Sequence, residues 1–242
     1  MSMTKNKGTL YLIPCPISND SELGDVLPAG NLRIINTLDY FIVENVRSAR
    51  RFLSSIRIER KIDELHFVEL NEHTSSRSEV EQMFRPLLEG RSAGVISEAG
   101  VPAVADPGQK IVELCHRHEV RVVPLVGPSS ILLSIMASGL SGQSFAFNGY
   151  LPIKEPERSK AIRKLELRAL QEHQSQLFIE APYRNRKMLE QLLKLLQPKT
   201  KLMIASDITS PKELLITRSV EQWRRGCTLE LDKKPTIFII GE

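Results

Sequence analysis

Apolar runs of strand length alternate with stretches of helical spacing over the first 140 residues. Thr9–Ile13, Tyr40–Val43, Leu65–Leu70, Ala93–Ile96 and Val122–Leu125 read as strands. Between and after them, 21–38, 49–56, 78–88, 109–118 and 129–137 carry the spacing of amphipathic or buried helices. Strands that are apolar without alternation, each followed by a helix, predict a mostly parallel sheet covered by helices. Ser138-Gly139-Leu140-Ser141-Gly142-Gln143-Ser144 lacks periodicity and reads as a linker, giving one domain over 1–140 and a second over 145–242.

The pattern changes beyond the linker. A strand at Phe145–Tyr150, a long charged helix at 156–171, a strand at 176–180 and a helix at 184–196 precede three strand-like runs at 201–205, 213–219 and 229–240, the last broken by Asp232-Lys233-Lys234-Pro235. Successive strands with short connections favour antiparallel pairing, so the second domain is expected to hold a mixed sheet with helices.

Two strand-to-helix junctions of the first domain consist of small residues and prolines. Ser97-Glu98-Ala99-Gly100-Val101-Pro102-Ala103-Val104-Ala105-Asp106-Pro107-Gly108 follows Ala93–Ile96, and Val126-Gly127-Pro128-Ser129-Ser130 follows the next strand. Loops of this kind at the carboxyl edge of a parallel sheet build ligand crevices. Neither contains the dinucleotide Gly-x-Gly-x-x-Gly pattern nor a phosphate loop ending in Gly-Lys-Ser/Thr, so neither NAD nor a nucleoside triphosphate has support.

Composition narrows the classes. The chain has 242 residues, 41% hydrophobic and 26% charged, with a formal net charge of +4, as expected of a globular protein with a sizeable core. No apolar run reaches the roughly 20 residues that span a bilayer, which makes a cytoplasmic location the default and a membrane role unexpected. Cys15, Cys115 and Cys227 are odd in number and widely spaced, against a disulfide framework. Helical spacing spreads Cys115, His116 and His118 around an axis, so no metal site is expected, and His73 is a lone imidazole at a strand end without an assigned role. Between Ser144 and Lys201 stand twelve Lys or Arg against six Glu, a basic strip on two helices that can follow a phosphate backbone or simply solvate helix faces.

Four stretches resemble the tetrapyrrole methylase superfamily of S-adenosylmethionine-dependent methyltransferases. They are Ser97–Pro102, Asp106-Pro107-Gly108, Pro124–Ser130 and Glu180-Ala181-Pro182-Tyr183-Arg184, within a likeness that runs from Leu10–Pro14 to Thr236–Ile240. The branch most similar to this chain methylates small-subunit ribosomal RNA on a ribose 2′-hydroxyl. The chain departs from that branch at Ser18, which replaces a glycine, at Asn45, which replaces an aspartate, and at Ser206–Ser210, where two positive charges are lost.

The resemblance implies two α/β domains with an active-site cleft between them, S-adenosylmethionine as methyl donor, RNA as acceptor and a homodimer. It assigns Pro14, Ser97, Glu98, Ala99, Gly100, Val101, Val104, Ala105, Gly127, Pro128 and Ser129 to the donor, with Ala181, Pro182 and Tyr183 beside its adenosine. Methyl transfer needs little side-chain catalysis, because the sulfonium is already activated; a hydroxyl acceptor needs help only in losing its proton. Glu44 is the expected base or substrate orienter, and Arg47 and Arg184 are expected to meet acceptor phosphate. Two other readings stand beside this one. One is methylation of a tetrapyrrole or another small molecule, and the other is a donor- or RNA-binding protein that has lost catalysis.

Overall fold

A computed structural model describes residues 6–71, 76–226 and 229–242. The chain divides into two compact units, Met1–Ser129 and Ser130–Glu242. His73 and Cys227 lie outside the described residues.

The first unit is built on a five-stranded parallel sheet in the order β3-β2-β4-β1-β5, with β1 Thr9–Ile13, β2 Tyr40–Val43, β3 His66–Glu69, β4 Ala93–Ile96 and β5 Arg121–Pro124. Every residue of β2 and β4 is buried, which explains their unbroken apolar sequences. Gly94 in β4 lies against Ile13 and Phe41, where a Cβ would stand 2.5 Å from Ile13 Cδ1.

Helices α1 Leu23–Val26, α2 Ala29–Ile35 and α3 Val46–Ser55 follow β1 and β2; α4 Arg77–Leu88 and α5 Gln109–Arg117 follow β3 and β4. Residues of α2 and α3 share one core cluster with Ile13, Phe41 and Val43. Residues of α4 and α5 share another with Leu10, Tyr40 and Ile42, so the sheet is covered on both faces. The single helix expected over 21–38 is broken: Leu27 and Pro28 are extended, as a residue preceding proline tends to be, and Pro28 starts α2 afresh.

Connections from β1 and β4 depart in opposite directions. The chain leaving β1 passes over β4 to reach β2, whereas the chain leaving β4 passes over β1 to reach β5. A crevice therefore opens between the carboxyl ends of these two adjacent strands, at a topological switch point.

The second unit holds a mixed sheet in the order β6-β7-β10-β8-β9, with β6 Phe145–Tyr150, β7 Ser175–Ile179, β8 Lys201–Ser206, β9 Leu214–Ser219 and β10 Thr236–Gly241. Only β6 and β7 pair in parallel; the other three pairings are antiparallel. Helices α6 Ser130–Ser138, α7 Glu157–Gln171, α8 Asn185–Leu195 and α9 Val220–Arg225 complete it. The small-polar segment 138–144 predicts a boundary after α6, yet α6 packs on β9 and β10, and the Thr217 hydroxyl donates to Ser138 O at 2.7 Å.

The run 229–240, broken in the sequence by Asp232-Lys233-Lys234-Pro235, forms its strand from Thr236, after a turn around Asp232–Lys233. Helix α9 is unforeseen by periodicity, but Ser219 and Gln222 form a capping box at its start, and its Trp223 is buried with Nε1 donating to Leu202 O at 2.8 Å.

Candidate active site

Three loops converge at the carboxyl edge of the parallel sheet. The β1 loop and the β4 loop are tied by two hydrogen bonds: Cys15 N–H donates to Gly100 O at 2.8 Å and Gly100 N–H donates to Cys15 O at 3.1 Å. Gly100 has φ +68°, a conformation that side chains rarely adopt. The β5 loop closes in through Gly127, where a Cβ would stand 2.2 Å from Pro14 Cγ; no side chain fits there. Buried Asn31 of α2 holds the same loop by donating from Nδ2 to Val126 O at 2.8 Å. Pro14, Gly100, Gly127 and Pro128 are thus brought together from three strands.

The β4 loop is held in sparsely populated backbone. Ala103 has φ 65° and Ala105 φ 62°, both on the left-handed side, and Gly108 at φ 130° opens α5. Such conformations persist where surrounding structure over-determines them, and they cluster at ligand sites. Ser97, only 5% exposed, has a hydroxyl with no hydrogen-bond partner. Buried polar atoms are ordinarily satisfied, so this orphan marks a place for a ligand's polar group.

Three carboxyls surround the loop. Glu44 leaves the end of β2, and its Oε2 accepts the backbone N–H of Glu98 at 3.2 Å. Asp106 is pushed up to about 6 by burial first and by the charges of Glu44 and Glu98; the nearby Ser97 hydroxyl opposes the shift without forming a well-directed bond. Asp106 stands in the loop motif, but only the fold puts it beside Glu44. The Cys15 thiol is pushed up to about 12 by burial and by Glu98 and Asp106, so it remains protonated at neutral pH and is no nucleophile.

The other expected residues fall into distinct settings. Glu98, Ala99 and Val101 flank Gly100, and Val104 is half exposed on the outer part of the loop. Arg47 is exposed in the first turn of α3, and its guanidinium has no hydrogen-bond or ion-pair partner among the described residues. Asn45 caps α3, its Oδ1 accepting from Arg47 N at 2.9 Å and Ser48 N at 3.1 Å. Because an aspartate caps in the same way, the change from carboxylate to amide preserves this helix start.

Ala181, Pro182 and Tyr183 belong to the second unit, where they lead from β7 into a short 3₁₀ turn. Arg184 is committed elsewhere: its Nε and Nη2 donate to Oε1 of buried Glu180 at 2.9 and 2.6 Å. The expectation that Arg184 meets phosphate therefore gives way to a structural ion pair. Three more arginines of the basic strip are paired likewise, Arg158–Glu155, Arg168–Glu172 and Arg186–Glu190, while Arg163 and the strip's lysines have no ion pair among the described residues. The composition count missed this because it ignores i,i+3 and i,i+4 partners.

A cavity of about 600 Å³ opens beside the crevice, between the β1 loop, the start of the β4 loop and α3. From α3 it takes Ser48, Arg51, Phe52 and Ser55, residues that sequence inspection passed over. Their i, i+3, i+4, i+7 spacing was the available signal.

A parallel sheet with a strained small-residue loop at its switch point, followed by a mixed α/β unit, is the architecture of a class of two-unit methyltransferases. Among solved structures, the methyltransferase CobJ matches with a TM-score of 0.62 at 16% identity, covering 98% of this chain and 94% of that one. Uroporphyrin-III C-methyltransferase from Thermus thermophilus, complexed with S-adenyl homocysteine, matches with a TM-score of 0.53 at 18% identity over 97% and 98% of the two chains. The chain belongs to the Tetrapyrrole (Corrin/Porphyrin) Methylases, whose family model matches residues 10–223, and it is an S-adenosylmethionine-dependent methyltransferase.

Its sequence relatives carry a narrower name. Ribosomal RNA small subunit methyltransferase I of Vibrio cholerae is 32% identical over 219 residues, 88% of this chain and 71% of that protein. The protein of the same name from Halalkalibacterium halodurans is 29% identical, over 93% and 74% of the two chains. The one from Xylella fastidiosa is 30% identical, over 96% and 80%. Among the described residues no helix is long and apolar enough to cross a membrane.

Proposed function

We propose that the protein transfers methyl groups to a ribose 2′-hydroxyl of small-subunit ribosomal RNA in the cytoplasm, acting as a homodimer. The observation that carries the donor site is the orphaned hydroxyl of buried Ser97 beside Gly100 and Gly127. The names of the relatives support RNA as the acceptor.

The residues present suit S-adenosylmethionine. A donor with an ammonium, a carboxylate and an adenosine asks for backbone polar groups at close range, and small residues at 99, 100, 103 and 105 leave the β4 loop's backbone approachable. Ser97 supplies a hydroxyl, Glu98 a carboxylate for the ammonium, and Pro14, Val101, Val104, Pro128 and Ser129 the walls. Ala181, Pro182 and Tyr183 are assigned to the adenosine, Tyr183 offering a ring that is 72% exposed and has the Arg184 guanidinium 5.3 Å from its centroid. When bound, S-adenosylmethionine supplies a methyl group already activated on a sulfonium.

The chain's own side chains have two tasks in this reaction. Glu44 takes the 2′-hydroxyl proton on its carboxylate, which the Glu98 N–H orients through Oε2. Arg47, whose guanidinium has no partner among the described residues, meets a phosphate of the acceptor and sets its position.

Two exposed apolar residues one turn apart on α6, Leu132 at 53% and Met136 at 78%, support self-association of the second unit. Sedimentation at micromolar concentration is expected to give a dimer, and a monomer alone would remove that part of the reading.

Calorimetry with S-adenosylmethionine, followed by methylation of small ribosomal subunits with labelled donor, tests the proposal. Saturable binding of one donor per chain and label in ribose are expected. Label transfer to small-molecule extracts alone, insensitive to salt, would point to a tetrapyrrole or similar acceptor; donor binding without any transfer would point to lost catalysis.

A further inference from the structure

Six arginines on the helices of this protein are paired with a glutamate four residues away. Arg77–Glu81 and Arg85–Glu89 do so on α4, Arg117–Glu113 on α5, Arg168–Glu172 on α7, Arg186–Glu190 on α8 and Arg225–Glu221 on α9. Helix α3 has no such pair. Its ten residues, VRSARRFLSS, contain three arginines and no carboxylate.

Only Arg50 finds an acidic partner, Asp63 at 3.7 Å, and it also lies over the Phe67 ring. Arg47 and Arg51 have no acidic partner among the described residues. They stand one turn apart on one face, and Arg51 Nη2 reaches only the Ser48 hydroxyl, at 3.5 Å. Arg47 also occupies the first turn, where the helix dipole disfavours a cation. Two unneutralised guanidinium groups in a region of positive potential are suited to an external anion.

The cavity gives that anion a place. Arg51 lies in its wall, with the hydroxyls of Ser48 and Ser55 from the same helix and of Ser18 and Ser21 from the β1 loop, and with the Asn19 amide. Hydroxyls, an amide and a guanidinium are the donor set that proteins use for phosphate oxygens. Glu98 also lines the cavity, through the β4 loop, and its charge drives an anion towards the α3 wall. With a volume of about 600 Å³ the cavity admits a nucleotide-sized group.

We propose that this cavity is a subsite for a backbone phosphodiester of the RNA acceptor, held by Arg51 with the hydroxyls of Ser18 and Ser48. The proposal rests on the RNA reading above and adds the place where the strand is gripped. Ser18 then has a use: its hydroxyl replaces a position that the related branch fills with glycine. Among the described helices, α3 is the one that carries two arginines on one face without an acidic partner.

The experiment measures binding of a small-subunit ribosomal RNA fragment against potassium chloride for wild type, Arg51→Ala, Arg51→Lys and the surface control Arg85→Ala, with donor calorimetry on each. Each phosphate contact contributes about 0.7 to 0.9 to the slope of log affinity against log salt. Arg51→Ala is expected to lose about that much slope and roughly tenfold in affinity at low salt, Arg51→Lys to retain most of the slope, and all four proteins to bind donor alike. An unchanged slope for Arg51→Ala overturns the subsite while leaving the RNA reading intact. Failure of the wild type to bind RNA at any salt overturns both. Inorganic phosphate that binds in an Arg51-dependent way, without any Arg51 effect on RNA, overturns the phosphodiester assignment in favour of a free phosphate site.

Discussion

Gly127 and Pro14 approach so closely that a Cβ on Gly127 would stand 2.2 Å from Pro14 Cγ. The contact locks the β5 loop against the β1 loop, and the pair of hydrogen bonds between Cys15 and Gly100 adds the β4 loop to the same cluster. Replacing Gly127 by alanine forces backbone apart and is expected to cost about 1–3 kcal/mol in stability. The displaced loop should weaken donor binding at least tenfold by calorimetry. Normal donor affinity in a folded Gly127→Ala protein would remove the β5 loop from the site.

The bond from Glu98 N–H to Glu44 Oε2 separates two roles of Glu44. Glu44→Gln keeps an oxygen acceptor for that N–H but loses the base, so methyl transfer should fall by roughly 10²–10⁴-fold with donor affinity nearly unchanged. Glu44→Ala releases the loop as well and should lose donor affinity too. Equal donor loss in both variants would make Glu44 a structural residue only.

Asp106 is a half-buried acid raised to about 6, and it works against stability at neutral pH. Below pH 4 it is protonated in both the folded and unfolded chain and contributes nothing. Between about pH 4 and 6 the unfolded chain ionises first, so stability falls as pH rises, and the full cost is present above pH 6. After allowance for solvent screening that cost is on the order of 1 kcal/mol. Asp106→Asn should therefore raise the melting temperature by about 2–4 °C at pH 8 and leave it unchanged at pH 4. Thermal scans at the two pH values check the difference.

Arg184 is held by Glu180, whose side chain is 1% exposed. Removing one partner strands a buried charge, so Arg184→Ala should destabilise the second unit by about 3 kcal/mol in urea unfolding. The salt dependence of RNA binding should stay as in wild type. A reduced slope would return Arg184 to the RNA interface.

How much of this was legible in the chain differs by element. Tyr40–Val43 and Ala93–Ile96 coincide with β2 and β4 residue for residue, because strands buried on both faces must be apolar throughout. The candidate loops were visible because glycine is favoured where backbone takes left-handed φ, as at Gly100, or where a neighbour leaves no room for a side chain, as the Pro14 ring does at Gly127. Helix α9 was not visible, since a six-residue helix shows too little periodicity.

By itself the sequence determined the parallel α/β first half, the mixed second half, the family and the small-residue loops, all properties encoded in local periodicity and conformational restriction. Only the tertiary structure decided which charges are free. It put Asp106 beside Glu44 and left Arg47 and Arg51 without acidic partners among the described residues, Arg51 in the wall of a cavity. Coulombic energy and desolvation depend on distances between residues far apart in the chain, and no local pattern records them.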